Sequence, residues 1–261
     1  MKKKEVISHI VNWLSGYSAR SGTDGFVIGI SGGIDSALTS TLCAMTGKKC
    51  IVLNMPIRQN SREVDRSMEH IEWLKKKFPN VSSAVVNLTG IFEKMESDFP
   101  EDIQDFLSMA NTRARLRMTT LYAFAGHHRL LVAGTGNKIE DFGIGFYTKY
   151  GDGGVDLSPI ADLMKSEVYA LATEVGVVES ILRARPTDGL FADDRTDEDQ
   201  IGASYDELEW AMLYIENKES YVLDERQQRV MDIFLQRNRA NKHKMDPIPV
   251  CLIPAALKVK D

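Results

Sequence analysis

The residues best suited to chemistry in this chain begin with Ser31-Gly32-Gly33-Ile34-Asp35-Ser36. The short, continuous apolar run 26–30 before it, rich in β-branched residues, suits a strand buried on both faces. Apolar residues recur at helical spacing after it (Ala37, Leu38, Leu42, Ala44, Met45), so the piece reads strand, glycine turn, helix. Such a turn leaves backbone N–H groups at a helix start, where the helix dipole favours an anion. The hydroxyls of Ser31 and Ser36 add donors. Asp35 is the odd member, because a carboxylate repels a phosphate unless a cation lies between them. Asp35 therefore reads as a Mg²⁺ ligand in a phosphate site.

Three other readings compete for this stretch. A P-loop needs a Lys after its glycines, and none is present. Gly29-Ile30-Ser31-Gly32-Gly33 also fits the G-x-S-x-G elbow, which would make Ser31 a hydrolase nucleophile with His127, His128 or His243 as partner. The plainest alternative is a strand–helix turn that required glycine. As a unit, Ser-Gly-Gly-x-Asp-Ser resembles the loop of ATP-pyrophosphatases, enzymes that cleave ATP between its α and β phosphates.

The elements that must position this loop follow in order. Residues 5–20 form an amphipathic helix. Strands are expected at 26–30, 49–54, 83–87 and 129–133, and helices after the loop and at 61–78. Residues 90–107 read as weak helix and loop, 111–125 as a stronger helix and 138–154 as irregular structure at a site mouth. Helices are expected at 165–175, 197–202, 204–216 and 222–240, with a charged loop over 186–200. Strands alternating with helices imply an α/β fold with a doubly wound, mostly parallel sheet and helices on both faces. Its ligands belong at the carboxyl ends of the strands, where the 31–36 turn lies.

Composition narrows the function. At 43% hydrophobic and 26% charged residues the chain is ordinary for a folded protein. A net charge of −5 argues against a broad nucleic-acid surface. The three cysteines, without a C-x-x-C, imply neither a disulfide scaffold nor a zinc site. No apolar run approaches membrane-spanning length, and no signal region follows Met1. The expected compartment is the cytoplasm, with a single domain over residues 1–261.

Three further blocks occur in order: Asn111-Thr-Arg-Ala-Arg-Leu-Arg-Met118, Gly134-Thr-Gly-Asn-Lys-Ile-Glu140 and Phe146-Tyr-Thr-Lys-Tyr-Gly-Asp-Gly-Gly-Val-Asp156. Together with the 31–36 loop they resemble the NAD synthetases of the ammonia-dependent type. The resemblance implies a two-step reaction: ATP adenylates the nicotinate carboxylate of deamido-NAD, releasing pyrophosphate, and ammonia then displaces AMP to leave NAD. It assigns Gly29, Ile30, Ser31, Gly32, Gly33, Ile34, Asp35, Ser36, Thr135, Lys165 and Thr187 to ATP. Asp35 and Glu140 become ligands of Mg²⁺. Arg115, Lys149, Asp156, His243 and Lys244 are assigned to deamido-NAD, and a homodimer is implied. No nitrilase-like domain precedes the first helix, so ammonia is the expected nitrogen donor.

The residues make physical sense of those roles. A carboxylate is a poor electrophile, and activating it beside a polyanion demands screening of charge. Glu140 is a hard oxygen ligand at the end of a different strand from Asp35. Lys165 opens a helix, where a cation gains nothing from the dipole, so a phosphate partner accounts for it better. Asp152, in a glycine-flanked turn, could attract ammonium and take its proton, or make only a local turn bond. Arg113, Arg115 and Arg117 could equally be a solvated helix face. Asp188 and the Met245-Asp246-Pro247 sequence after Lys244 depart from the family pattern.

Overall fold

A computed structural model describes residues 1–59, 61–184 and 197–258. Among them, β1 (Gly25–Gly29), β2 (Lys49–Asn54), β3 (Val81–Val85) and β4 (Leu130–Val132) form one parallel sheet in the order β3-β2-β1-β4. The ten α-helices of the described residues are α1 (Lys3–Arg20), α2 (Ile34–Met45), α3 (Ser61–Lys77), α4 (Thr89–Asp98), α5 (Phe106–His128), α6 (Lys165–Val175), α7 (Glu179–Leu182), α8 (Asp197–Ile201), α9 (Tyr205–Glu216) and α10 (Glu225–Met245).

Strand order dictates the layers. The chain moves outward from β1 to β2 to β3 and then returns past β1 to β4. Right-handed crossovers therefore put the β3–β4 connection on the opposite face from the first two. The core divides accordingly. Phe26, Ile28, Cys50 and Val52 pack with α1, α2, α3 and α6, whereas Val27, Ile51, Leu53 and Val132 pack with Phe92 of α4 and Met109 of α5. The expected doubly wound α/β architecture is what forms, and its reversal point lies between β1 and β4.

Several elements differ from their expected bounds in ways that matter for the site. The strand expected at 83–87 pairs over Val81–Val85. It is an edge strand, half-exposed, so its burial pattern is a weak guide to its limits. The helix expected at 111–125 begins at Phe106, because Asp105 Oδ1 caps the Ser108 N–H at 3.0 Å. It ends at Arg129 in a left-handed conformation (φ +57°). The stretch read as irregular contains a π-helical turn, Ile139–Ile144. The last helix, expected to end at residue 240, runs to Met245 and so carries Asn241 and Lys244 on one rigid element.

A second apolar cluster joins α9 and α10 to that π turn through Ile139, Ile144, Leu208, Val230 and Phe234. Gly145 makes the approach possible. It has φ +63°, and a Cβ there would lie 2.4 Å from Asn241 Cβ. Beyond β4 the chain is stitched to its edge: Asp156 Oδ2 accepts the Val132 N–H at 2.8 Å, and Oδ1 accepts the Tyr122 hydroxyl at 3.0 Å.

Candidate active site

The carboxyl ends of β1 and β4 open into a cavity of about 650 Å³. Its floor is the glycine turn. Gly32 has φ +88°, and a Cβ there would stand 2.7 Å from Glu63 O, so α3 packs directly on the turn. Ser31 Oγ accepts the Gly33 N–H at 3.2 Å and lies 3.1 Å from Ser36 Oγ, which donates to Gly33 O at 3.0 Å. The start of α2 has no side-chain cap. Its first N–H groups thus suit an anion.

Above this floor three charged side chains meet. Lys165 Nζ donates to Asp35 Oδ2 at 2.6 Å and to Glu140 Oε1 at 3.0 Å, although 130 residues separate Asp35 from Lys165. Lys165 is 4% exposed. Asn137 Nδ2 donates to Asp35 Oδ1 at 3.1 Å, and the Tyr205 hydroxyl donates to Glu140 Oε1 at 2.6 Å. Burial alone would lower the Lys165 pKa, but the two carboxylates overcome it and hold the ammonium above the ordinary lysine value. Burial raises Asp35 against the pull of Lys165. For Glu140, burial is outweighed by Lys165 and Tyr205, and its carboxyl lies below the usual value.

Asp152 enters the same cavity. Its Oδ1 accepts the Thr148 N–H at 3.0 Å, so the local turn bond and the cavity position coexist. Burial pushes its carboxyl up, which brings a carboxylate closer to what a proton acceptor near neutral pH requires. Neighbouring Asp141 is pushed up to about 8, by burial first and then by Glu140, Asp152 and Asp35.

The positions expected from sequence divide into two groups. Residues 29–36 other than Gly32 line the cavity, together with Thr135, Glu140, Asp152, Lys165 and Lys244. Lys244 Nζ donates to Gly145 O and Tyr147 O at 2.9 and 2.8 Å, closing one wall. Arg115, Lys149 and His243 instead run along the outside: Arg115 Nη2 donates to Lys149 O at 3.4 Å, and Lys149 Nζ to His243 O at 2.6 Å. Asp156 is engaged at the β4 edge. Thr187, and residues 186–196 of the loop read there, lie outside the described residues.

Four groups at the site are not marked by sequence, two lining the cavity (Arg117 and Arg237) and two holding the buried carboxylates (Asn137 and Tyr205). Arg117 donates from Nε to Met55 O at 3.1 Å and from Nη2 to Gln59 Oε1 at 2.8 Å. Burial lowers its pKa to about 10. Arg237 lines the same cavity and donates to Gln200 O at 2.6 Å. Its spacing to Asn241 and Lys244, one helix face, was an available signal. Asn137 lies within the 134–140 block with no expected role, and no local pattern marks Tyr205.

The Ser31 hydrolase reading finds no partner among the described residues. His127 and His128 end α5 just before β4, and His128 Nδ1 lies 3.2 Å from Lys49 Nζ at the start of β2. Both are therefore at the amino ends of the strands, across the sheet from Ser31. His243 Nδ1 sits 3.2 Å from Ala240 O on its own helix.

The NAD synthase family model matches residues 6–247. The chain belongs to the NAD synthase family. Relatives in that family include an NH₃-dependent NAD⁺ synthetase from Methanosarcina mazei, 35% identical over 93% of this chain and 96% of the relative. Among solved structures, an NMN synthetase from Francisella tularensis superposes with a TM-score of 0.84 at 30% identity, covering 98% of this chain and 99% of that one. An NH₃-dependent NAD synthetase from Campylobacter jejuni, in complex with nitrate, gives 0.79 at 25% identity, with 97% and 100% covered.

Proposed function

We propose that this protein uses ATP to amidate deamido-NAD with ammonia, giving NAD, AMP and pyrophosphate. The observation that carries this reading is the Asp35–Lys165–Glu140 cluster, set over an uncapped glycine turn in a chain of the NAD synthase family. The turn and Lys165 hold the ATP phosphates, with Thr135 beside the nucleotide. The nicotinate carboxylate attacks the α phosphorus, pyrophosphate leaves, and an acyl adenylate results. Asp152 draws ammonium to the cavity and accepts its proton, so that neutral ammonia attacks the acyl carbon and AMP departs. Arg117 and Arg237 add positive charge along the path of the anionic substrates.

Asp35 and Glu140 fit Mg²⁺. Both supply hard carboxylate oxygens, and no group of three or more acidic, histidine or cysteine side chains among the described residues would hold an ion unaided. The remaining ligands would be phosphate oxygens and water, the usual arrangement for this ion. When bound, Mg²⁺ would offset the negative charge that gathers on the phosphates. Lys165 then has a double role: it neutralises the two carboxylates before substrates arrive and faces the phosphates afterwards.

We take residues 1–261 as one synthetase domain acting on ammonia, as a cytoplasmic homodimer. No helix among the described residues is long and apolar enough to cross a membrane. Ile91, Phe106 and Leu107 are 53%, 50% and 66% exposed, the last two at the cavity lining, apolar side chains that a second copy would cover. Deamido-NAD bound between subunits accounts for Arg115, Lys149, Asp156 and His243, which lie away from the cavity of their own chain.

A second reading takes nicotinate mononucleotide as the acceptor, and the similarity to the Francisella NMN synthetase over nearly both whole chains favours it. One experiment decides between them. The purified protein is given ATP, Mg²⁺ and ammonium, with deamido-NAD or nicotinate mononucleotide in parallel, and AMP and amide product are followed together. NAD formed with a higher kcat/KM than NMN supports the first reading. The reverse order selects the second, and absence of amide from both refutes the amidation.

A further inference from the structure

Glu140 Oε1 has two donors of different kinds, the Lys165 ammonium at 3.0 Å and the Tyr205 hydroxyl at 2.6 Å. Tyr205 touches both members of that pair, because Lys165 Nζ also lies 4.6 Å from the centroid of its ring. The tyrosine is firmly mounted. It opens α9 behind a reciprocal Ser204–Glu207 capping box, its own N–H donates to Glu198 Oε1 at 2.9 Å, and it is 5% exposed. Its helix packs through Leu208 onto Ile139 and Ile144, the apolar residues of the turn that carries Glu140.

A buried phenol needs a hydrogen-bond acceptor, and a backbone carbonyl would satisfy it. This one is spent on a carboxylate that also holds the buried ammonium. We propose that Tyr205 is a positioning residue for the synthetase reaction: its hydroxyl sets the orientation of the Glu140 carboxylate and its ring seats Lys165, so that both meet the nucleotide in one geometry. The proposal rests on reading Glu140 and Lys165 as phosphate-facing groups. It makes α9, an element remote in sequence from every motif of the family, part of what sets the rate.

The test is a double-mutant cycle of Tyr205→Phe with Glu140→Gln. Tyr205→Phe keeps the ring and loses only the O–H, so its melting temperature checks folding. Loss of an orienting group behind a ligand typically costs about 10–100-fold in activity or metal affinity. Tyr205→Phe is therefore expected to lower kcat by about that factor with little change in KM for the nicotinate substrate. In the Glu140→Gln background the same change should cost less than about 2-fold, because residues acting through one group are non-additive. A binding readout runs beside it: Mn²⁺ uptake followed by electron paramagnetic resonance, with α,β-methylene-ATP present. Tyr205→Phe should weaken uptake by about 10–100-fold. Unchanged kcat in Tyr205→Phe, or a full loss on top of Glu140→Gln, overturns the positioning role. A fully active Glu140→Gln refutes the reading of the site itself, and the proposal with it. If wild type takes up no Mn²⁺ with the nucleotide, the metal reading of Asp35 and Glu140 fails, and the kinetic cycle alone decides Tyr205.

Discussion

Replacing Lys165 by Met would test the charge arrangement most directly. Lys165 is 4% exposed, and its ammonium lies 2.6 and 3.0 Å from two carboxylates whose side chains are each 17% exposed. Removing it strands two negative charges in a place water barely reaches. Breaking a buried pair by deleting one partner costs about 3–5 kcal/mol. For a chain of this length each kcal/mol lowers Tm by about 2–3 °C, so the expected loss is about 10 °C. The loss should depend on pH with a definite sign. Without Lys165, burial and mutual repulsion lift Asp35 and Glu140 well above their unfolded values. The folded variant then holds a proton that the unfolded chain has released. That contribution is present below the unfolded carboxylate range and is lost as pH climbs through the raised values. The deficit relative to wild type should therefore grow from pH 5 to pH 8. Differential scanning calorimetry in chelator, without nucleotide, measures it. A Tm equal to wild type at pH 8, or a deficit that shrinks as pH rises, would mean that Lys165 does not neutralise the two carboxylates. Amidation by the variant should fall by at least ~10²-fold, the scale of losing one preorganised electrostatic group.

Other expectations follow from single contacts. His70 is fully buried beside Ser40, with its pKa lowered to about 4 by burial, so the neutral ring stabilises the fold above about pH 6.5. That contribution, about 3 kcal/mol, should fade as pH falls toward 4, and His70→Gln should flatten this part of the stability–pH curve measured by denaturant titration. Gly32→Ala forces a side chain into a positive-φ position against Glu63 O, costing about 1–3 kcal/mol. It should also raise KM for ATP in steady-state assays by distorting the phosphate floor. Arg117→Lys loses the fork that joins Met55 O and Gln59, so KM for at least one anionic substrate should rise by about 10-fold, a shift that progress curves would reveal.

How far the sequence reached can be judged residue by residue. Buried strands such as Phe26-Val27-Ile28 announce themselves, because a sheet covered on both faces demands a continuous apolar run. Edge strand β3 does not, since Val81, Ser83 and Ala84 are only partly covered and Ser82 and Val85 are exposed. The glycine turn, Asp35 and Glu140 were legible because they fall in ordered motifs, Lys165 because a cation at a helix start asks for an anionic partner, and the cavity joins them. Which of three arginines turns inward was not legible. Arg115 and Arg117 are about 200° apart on a helix, and only the position of β2 decides that Arg117 faces the cavity. Tyr205 was invisible for a related reason: its role comes from where α9 docks, and no local pattern encodes docking.

The lysine–carboxylate contact across 130 residues also bears on how the molecule comes to life during synthesis. The phosphate-binding turn emerges early, whereas its second acid, Glu140, and its cation, Lys165, follow more than 100 residues later and the Lys244 wall later still. A chain made only through β4 therefore carries the turn without Glu140, Lys165 or Lys244. Because such distant partners must meet, acquisition of turnover should be among the last events of folding, later than formation of the sheet. Activity in this protein is thus a sensitive report that the whole polypeptide has closed.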